Sequence, residues 1–187
     1  MDPKQSRFML ASIFLATCFA VAAGCEAGSQ RGATMKLELQ SPDFASGATV
    51  PKQFTCEAAD ISPALTWNDP PAATQSFALI ADDPDAPVGD WVHWVLFDLP
   101  ANARALPQNV PKIEQLPDGT RQGRNDFRKI GYGGPCPPPG KPHRYFFKLY
   151  ALDKKLNLQP GATKKDVERA MQGHILAQEE WMCRYGR

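Results

Sequence analysis

A loop of carboxylates and prolines, Asp82-Asp83-Pro84-Asp85-Ala86-Pro87, runs through Val88-Gly89-Asp90 into the apolar segment Trp91-Val92-His93-Trp94-Val95-Leu96-Phe97-Asp98-Leu99. No other stretch constrains the fold as tightly. The two prolines fix their own φ near −65° and push the residues before them toward extended conformations, so Asp83 and Asp85 are held in a rigid loop. Strict alternation in the next segment puts Trp91, His93, Val95 and Phe97 on one face and Val92, Trp94 and Leu96 on the other. Both faces are apolar, which predicts a central strand. An imidazole inside such a strand needs a polar partner, and the adjacent Asp loop is the nearest candidate. Asp83 has a second reading, as a turn former whose side chain bonds its own backbone. His93 likewise has one, as a core histidine satisfied by Asp83.

A second stretch repeats this arrangement. Residues 100–120 carry four prolines and little periodicity and read as a long connection. The run Gly134-Pro135-Cys136-Pro137-Pro138-Pro139-Gly140 supports neither a ladder nor a helix and is predicted to be a stiff loop. It leads into His143-Arg144-Tyr145-Phe146-Phe147-Lys148-Leu149-Tyr150-Ala151-Leu152, a strand with His143, Tyr145, Phe147 and Leu149 on one face. The chain has three histidines, and two of them stand at the loop ends of these two strands. If the strands are neighbours, Trp91, His93, His143 and Tyr145 line one shallow pocket roofed by two proline loops. Two imidazoles and a phenol supply hydrogen-bond donors for an anion and grip it better when protonated.

The rest of the chain frames this pair. With 187 residues and 43% hydrophobic composition it buries one core, and its 18 prolines and 14 glycines are dispersed as turns between short strands. A first strand is predicted over Met35–Gln40, a short one over Val50–Thr55, a Pro-interrupted edge strand over Ile61–Trp67, and an apolar run over Ser76–Ala81. Thr163 with Asp166 three residues on forms an abbreviated capping box. The helix it starts places Val167, Ala170, Met171 and His174 on one face, with Gly173 as a break before a last turn ending at Trp181-Met182. His174 reads as a core or capping residue.

The formal charge is +1, with 21 basic and 20 acidic residues interspersed, which excludes a nucleic-acid partner of the basic-stripe kind. There is no Gly-x-Ser-x-Gly, no metalloprotease helix and no glycine-rich phosphate loop. Asp83, His93 and His143 do have the composition of a two-histidine, one-carboxylate metal site, which keeps a metal-dependent enzyme as an alternative. The proline run resembles an SH3-type ligand, but its flanking glycines favour a structural loop.

Lys4 and Arg7 precede an apolar run from Phe8 to Ala23, the pattern of an export signal over residues 1–24. Ala22-Ala23-Gly24-Cys25 resembles a bacterial lipobox, with Ala22 where leucine is usual. In that case Cys25 becomes the lipidated first residue, and the small polar residues to position 34 form a tether (25–34) ahead of a domain over 35–187. Simple secretion or an uncleaved anchor are the alternatives. Export implies an oxidising compartment. Of five cysteines, Cys56, Cys136 and Cys183 lie in the domain. At most one intramolecular disulfide can form there, and Cys56–Cys136 is the expected pair because both lie in loop-like surroundings whereas Cys183 lies in a short tail.

Asp83-Pro84-Asp85-Ala86-Pro87, Trp91-Val92-His93, the Gly134-Pro135-Cys136-Pro137-Pro138 loop with His143-Arg144-Tyr145, and Gly173-His174-Ile175-Leu176-Ala177 together resemble the phosphatidylethanolamine-binding protein family. The bacterial branch, often called Raf kinase inhibitor-like proteins, is the closer likeness. The resemblance implies a mostly β fold: an antiparallel Greek-key β-sandwich with peripheral short helices, including a C-terminal helix. It implies a pocket made by Asp83, Trp91, His93, a proline of the Pro137–Pro138 pair taken as Pro138, His143 and Tyr145. That pocket takes phosphate, a phospholipid head group or a carboxylate, with no metal or cofactor. The expected protein is a non-enzymatic binding protein tethered at a bacterial cell envelope and facing the periplasm or exterior. A regulator of an exported kinase or protease is the alternative that the branch name suggests.

Overall fold

The computed structural model describes residues 36–187, so the expected signal, Cys25 and the tether lie outside the described residues. In chain order the elements are β1 (Leu39–Gln40), a 3₁₀ turn (Lys52–Phe54), β2 (Leu65–Trp67), β3 (Ser76–Asp83), β4 (Trp91–Pro100), β5 (Ala105–Leu106), β6 (Arg121–Gln122), β7 (His143–Leu152), α1 (Lys164–Met171) and β8 (Ile175–Tyr185). The strands form two sheets, of order β1-β2-β5 and β6-β4-β3-β7-β8, and every strand pairing is antiparallel. The mostly β, antiparallel class expected from the sequence is what the chain adopts.

Strand β3 is the centre of the larger sheet, and all eight of its residues are buried. One face of that sheet packs on the smaller sheet. Leu39, Leu65, Trp67 and Leu106 meet Phe77, Leu79, Leu96, Phe147 and Leu149 in one apolar cluster, with the Trp67 and Phe77 rings 5.5 Å apart. The other face, through Ala78, Ile80, Val95 and Phe97, buries Val167 and Met171 of α1. Burying a Leu- or Phe-sized side chain contributes about 1.5–3 kcal/mol, so the two faces of β3 and β4 supply most of the cohesion. Helix α1 begins as its sequence predicts: Thr163 Oγ1 accepts from the Asp166 N–H, and the Asp166 carboxylate accepts from the Thr163 N–H.

Four expectations are corrected. Val50–Thr55 is not a strand, because Pro51 leads into a 3₁₀ turn whose buried residue is Phe54. Strand β2 sits in the middle of its sheet rather than at an edge. The chain does not finish in a helix: α1 stops at Met171, Gly173 turns at φ 77°, and Ile175–Tyr185 becomes β8, paired with β7 along its whole length. Alternate burial of Trp181, Cys183 and Tyr185 is what makes it a strand. His174 therefore leaves the helical stripe; its Nδ1 lies 2.8 Å from Asp153 Oδ1 at a half-exposed junction.

The fourth correction concerns the face assignment along β4. The register runs Asp82↔Val92 and then Ala81↔Trp94, so His93 is an extra residue, a β-bulge. The bulge turns His93 and Trp94 to the same side, and beyond it the alternation is inverted: Trp94 and Leu96 face the small sheet, Val95 and Phe97 face α1. A second irregularity, between Leu79↔Leu96 and Phe77↔Leu99, falls at Asp98, which has φ 58°. The Asp98 carboxylate is buried and accepts from the Leu156 N–H (2.6 Å) and the Asn157 N–H (3.1 Å). Asp98→Ala strands two backbone donors and places a Cβ-bearing apolar residue in the left-handed region. Urea unfolding is expected to show a loss on the order of 2–3 kcal/mol, with Asp98→Asn losing clearly less; equal losses would mean that these bonds contribute nothing.

Candidate functional site

Because β3 runs antiparallel to both β4 and β7, its last residue and their first residues meet at one edge of the sheet. The two histidine-bearing strands are not neighbours, the condition from which the shared pocket follows in the sequence, yet their histidines still meet at this end. β3 lies between them and presents Asp83 in the gap. The Asp83 Oδ2 atom accepts from His143 Nδ1 at 2.8 Å, and its Oδ1 accepts from the Asp85 N–H at 2.8 Å. Asp83 is thus a turn former and a histidine partner at once, but the histidine is His143 rather than His93.

His93 is served from farther away. Its Nδ1 lies 2.6 Å from the Gly133 carbonyl oxygen, 40 residues along the chain. A carbonyl only accepts, so Nδ1 carries the proton and the neutral ring keeps Nε2 as a lone-pair acceptor. Burial pushes the His93 pKa below its ordinary value, against the opposing pull of the Gly133 carbonyl and the carboxylates of Asp83, Asp82 and Asp126. A Cβ at residue 133 would lie 2.7 Å from the Phe127 ring, so only glycine lets the chain pass this close.

Tyr145 lies between the histidines. Its ring packs edge-on against His93 (centroids 5.2 Å, 81°) and stacks on His143 (6.5 Å, 23°). The Tyr145 hydroxyl is buried beside the Asp83 carboxylate without a well-formed hydrogen bond to it, and burial, the charge of Asp83 and its hydrogen-bonding pull together drive the Tyr145 pKa far upward. A buried donor left unpaired costs about 1–3 kcal/mol, which makes this hydroxyl a group that a ligand or water can satisfy.

A pocket of about 190 Å³ opens at this edge. Asp83, Trp91, His93, Pro138 and His143 line it, and Tyr145 lies beneath them rather than in the wall. Both prolines of the expected Pro137–Pro138 pair line it, and so do Phe127 and Val88, which the sequence does not single out. Phe127 packs edge-on against both Trp91 (5.3 Å) and His93 (5.4 Å), yet it comes from a polar, glycine-spaced loop in which nothing marks it.

The proline wall is pinned from three directions. Cys136 is disulfide-bonded to Cys56, the Cys56 N–H donates to the Pro135 carbonyl at 3.2 Å, and Arg187 Nε donates to the Pro137 carbonyl at 2.6 Å. Cys183 is a free, buried thiol whose pKa is pushed up to about 12 by that burial, so it is not a ready nucleophile.

Asp83, His93 and His143 do not assemble as three metal ligands. Among the described residues no group of three or more His, Cys, Asp or Glu side chains is placed to hold an ion. The physical reason is the hydrogen bonding, since the Asp83 oxygens are already engaged by His143 and by the turn.

Behind the pocket, on the opposite sheet face, Asp82 is buried and accepts from Lys148 (2.8 Å) and Lys164 (2.6 Å). Lys164 also bonds Asp90. Burial works against the Lys164 charge, but the Asp82 and Asp90 carboxylates outweigh it and raise the pKa. The first turn of α1 is thereby tied to the residue preceding Asp83, a link that the sequence did not disclose.

With this geometry in hand, comparison with known proteins is informative. The family model for phosphatidylethanolamine-binding protein matches residues 40–186. A UPF0098 protein of Aquifex aeolicus is 50% identical over 153 residues, covering 81% of this chain and 89% of the relative. A UPF0098 protein of Methanothermobacter thermautotrophicus is 48% identical over 151 residues, covering 81% and 99%. Among solved structures, E. coli YbcL, a member of the mammalian PEBP family, superposes with a TM-score of 0.76 at 34% identity, covering 82% of this chain and 99% of its own. A phosphatidylethanolamine-binding protein homolog from Chlamydia trachomatis gives 0.74 at 36% identity, covering 81% and 98%. On sequence, fold and the strand-end pocket together, this chain belongs to the phosphatidylethanolamine-binding protein family.

Proposed function

We propose that this chain is a non-enzymatic binding protein for a small anion (phosphate, a phospholipid head group or a carboxylate), exported and held at a bacterial cell envelope by a lipid on Cys25. The observation that carries the reading is the arrangement of unused polar atoms. Both histidines spend Nδ1 on the protein, which leaves each Nε2 without a partner among the described residues, and the Tyr145 ring packs against both imidazoles with its buried hydroxyl beneath the pocket wall. Apolar walls from Trp91, Phe127 and Val88 lower the local dielectric and strengthen any hydrogen bond made there. Among the described residues no hydroxyl side chain lines the pocket, and the cysteine that does, Cys136, is locked in the disulfide, which supports binding over nucleophilic catalysis. The disulfide also accords with an oxidising compartment.

Charge sets which anion is held. Among the described residues the inner pocket is lined by one carboxylate, Asp83, and by no lysine or arginine. A dianion is therefore repelled, whereas a monoanion that keeps one proton can donate it to the neutral His93 Nε2. As pH falls, His93 takes up a proton and changes from acceptor to donor; its lowered pKa places that change below the ordinary histidine range. Phosphate binding is expected to tighten on going from mildly alkaline to mildly acidic pH, by roughly tenfold, or about 1.4 kcal/mol, because the dianion gives way to the monoanion, while protonation of His93 adds to the grip only at lower pH still. Calorimetric or NMR titration with inorganic phosphate at both ends of that range checks it, and equal affinity at both ends contradicts the reading.

Tyr145→Phe separates the site from the scaffold. Removing an unpaired buried hydroxyl is expected to stabilise the apoprotein by about 1 kcal/mol, while phosphate affinity drops several-fold. A loss of stability in chemical denaturation would show that the hydroxyl serves the fold instead.

A further inference from the structure

A second and larger cavity lies on the outer side of the proline wall. It is a groove of about 720 Å³ running along Pro138 to Pro142 and bounded by Lys141, Arg144, Arg184 and Asp85. Pro138 and His143 line both cavities, so the groove continues the inner pocket across a shared rim. The distribution of charge between the two is uneven: among the described residues the inner pocket is lined by no fixed cation, whereas the groove is lined by three against one carboxylate.

That carboxylate is already spent. Asp85 accepts from Arg144 through its backbone N–H (2.9 Å), Nε (2.9 Å) and a terminal guanidinium nitrogen (2.7 Å). The Arg144 guanidinium holds the Asp85 carboxyl well below the usual carboxylate range, so the pair stays ionic and neutral overall. Lys141 and Arg184 remain, and among the described residues neither is within ion-pair distance of a carboxylate. Arg184 stands directly opposite Arg144 in the β7–β8 ladder, and because Asp85 neutralises Arg144, Arg184 remains there as a cation without a carboxylate of its own among the described residues. The root of Arg184 is fixed, because its N–H donates to the Ala48 carbonyl (3.0 Å) and its carbonyl accepts from Val50 (2.8 Å). The side chain is therefore presented to the groove from a rigid strand.

We propose that this groove is a second anion subsite, and that the ligand is a soluble small molecule bearing two anionic groups, such as a phosphate ester with a second phosphate or carboxylate. One group sits between His93 and His143, the other against Lys141 and Arg184, with the linker passing over Pro138. The proposal rests on the inner pocket being an anion site. A ligand with one anionic group engages the histidines and leaves Lys141 and Arg184 unused. A ligand with two converts the second contact into an intramolecular event, which raises affinity without any new protein surface. Because the outer pair is exposed, its contribution is screened by salt more strongly than that of the enclosed pocket.

The test is calorimetric titration of the full domain with methylphosphonate and with straight-chain alkane bisphosphonates from methylene to hexylene. The wild type is expected to bind one chain length at least about tenfold more tightly than methylphosphonate. In the Lys141→Ser, Arg184→Ser double variant that gain disappears, while methylphosphonate affinity is unchanged. Bisphosphonates that bind no more tightly than methylphosphonate at any length overturn the second subsite and leave the inner pocket standing; that arm needs no variant. A gain that survives the double variant also overturns it. Failure of the wild type to bind methylphosphonate or any bisphosphonate overturns both the subsite and the anion pocket on which it rests.

Discussion

The hydrogen bond between Asp83 and His143 joins the end of the central strand to the start of its neighbour, and the geometry of the site follows from it. The same carboxylate closes the turn at Asp85, and Asp85 in turn grips Arg144, so the loop is stitched to the first two residues of β7. One residue earlier, Asp82 faces the other side of the sheet and is held by Lys148 and Lys164. Two successive buried carboxylates would be costly if unpartnered. Here each has its own partners on its own face, because alternation along a strand sends neighbouring side chains in opposite directions. The outcome is a rigid acidic edge whose charge is mostly consumed internally.

His93 reaches this edge only because β4 is irregular. A regular strand would have put His93 and Trp94 on opposite faces, and the large indole that now packs in the core with its Nε1 on Gln122 would have lost that place. The bulge lets one strand serve the core and the pocket from adjacent residues. Gly133 then supplies the acceptor that fixes the ring, and only a glycine allows its backbone so near Phe127. The same imidazole nitrogen orientation that satisfies the protein leaves the other nitrogen for a ligand.

The parts of this arrangement that were legible in the sequence are those written locally. The Asp-Pro loop, the apolar strand with its histidine, the proline wall before His143 and the capping box at Thr163 each lie within a few consecutive residues, and each is present, although Asp82 and Asp83 close β3 rather than open the loop and the alternation of the histidine strand is broken at His93. The paired strand starts also indicated that His93, His143 and Tyr145 would gather, although the strand between them was not foreseen. What escaped depends on distant partners or on a break in periodicity. A bulge at His93 leaves no mark in an alternating apolar run, the Gly133 carbonyl is 40 residues away, and Phe127 sits among polar loop residues. The last strand reads as a helical turn in the sequence because it follows so closely on the helix that Gly173 interrupts. The apolar residues beyond that glycine alternate through Trp181, Cys183 and Tyr185, a period that shows as a strand only once β7 is recognised as its partner.

The central claim is that both imidazoles are fixed through Nδ1 and leave Nε2 to an anion. Long-range ¹H–¹⁵N spectra of the histidine rings, recorded at neutral pH with and without inorganic phosphate, test it most directly. The account predicts that neutral His93 is in the Nδ1–H form, and that phosphate shifts the Nε2 resonances of His93 and His143 while leaving His174 unmoved. A His93 ring in the Nε2–H form, or phosphate that perturbs neither Nε2, would contradict it.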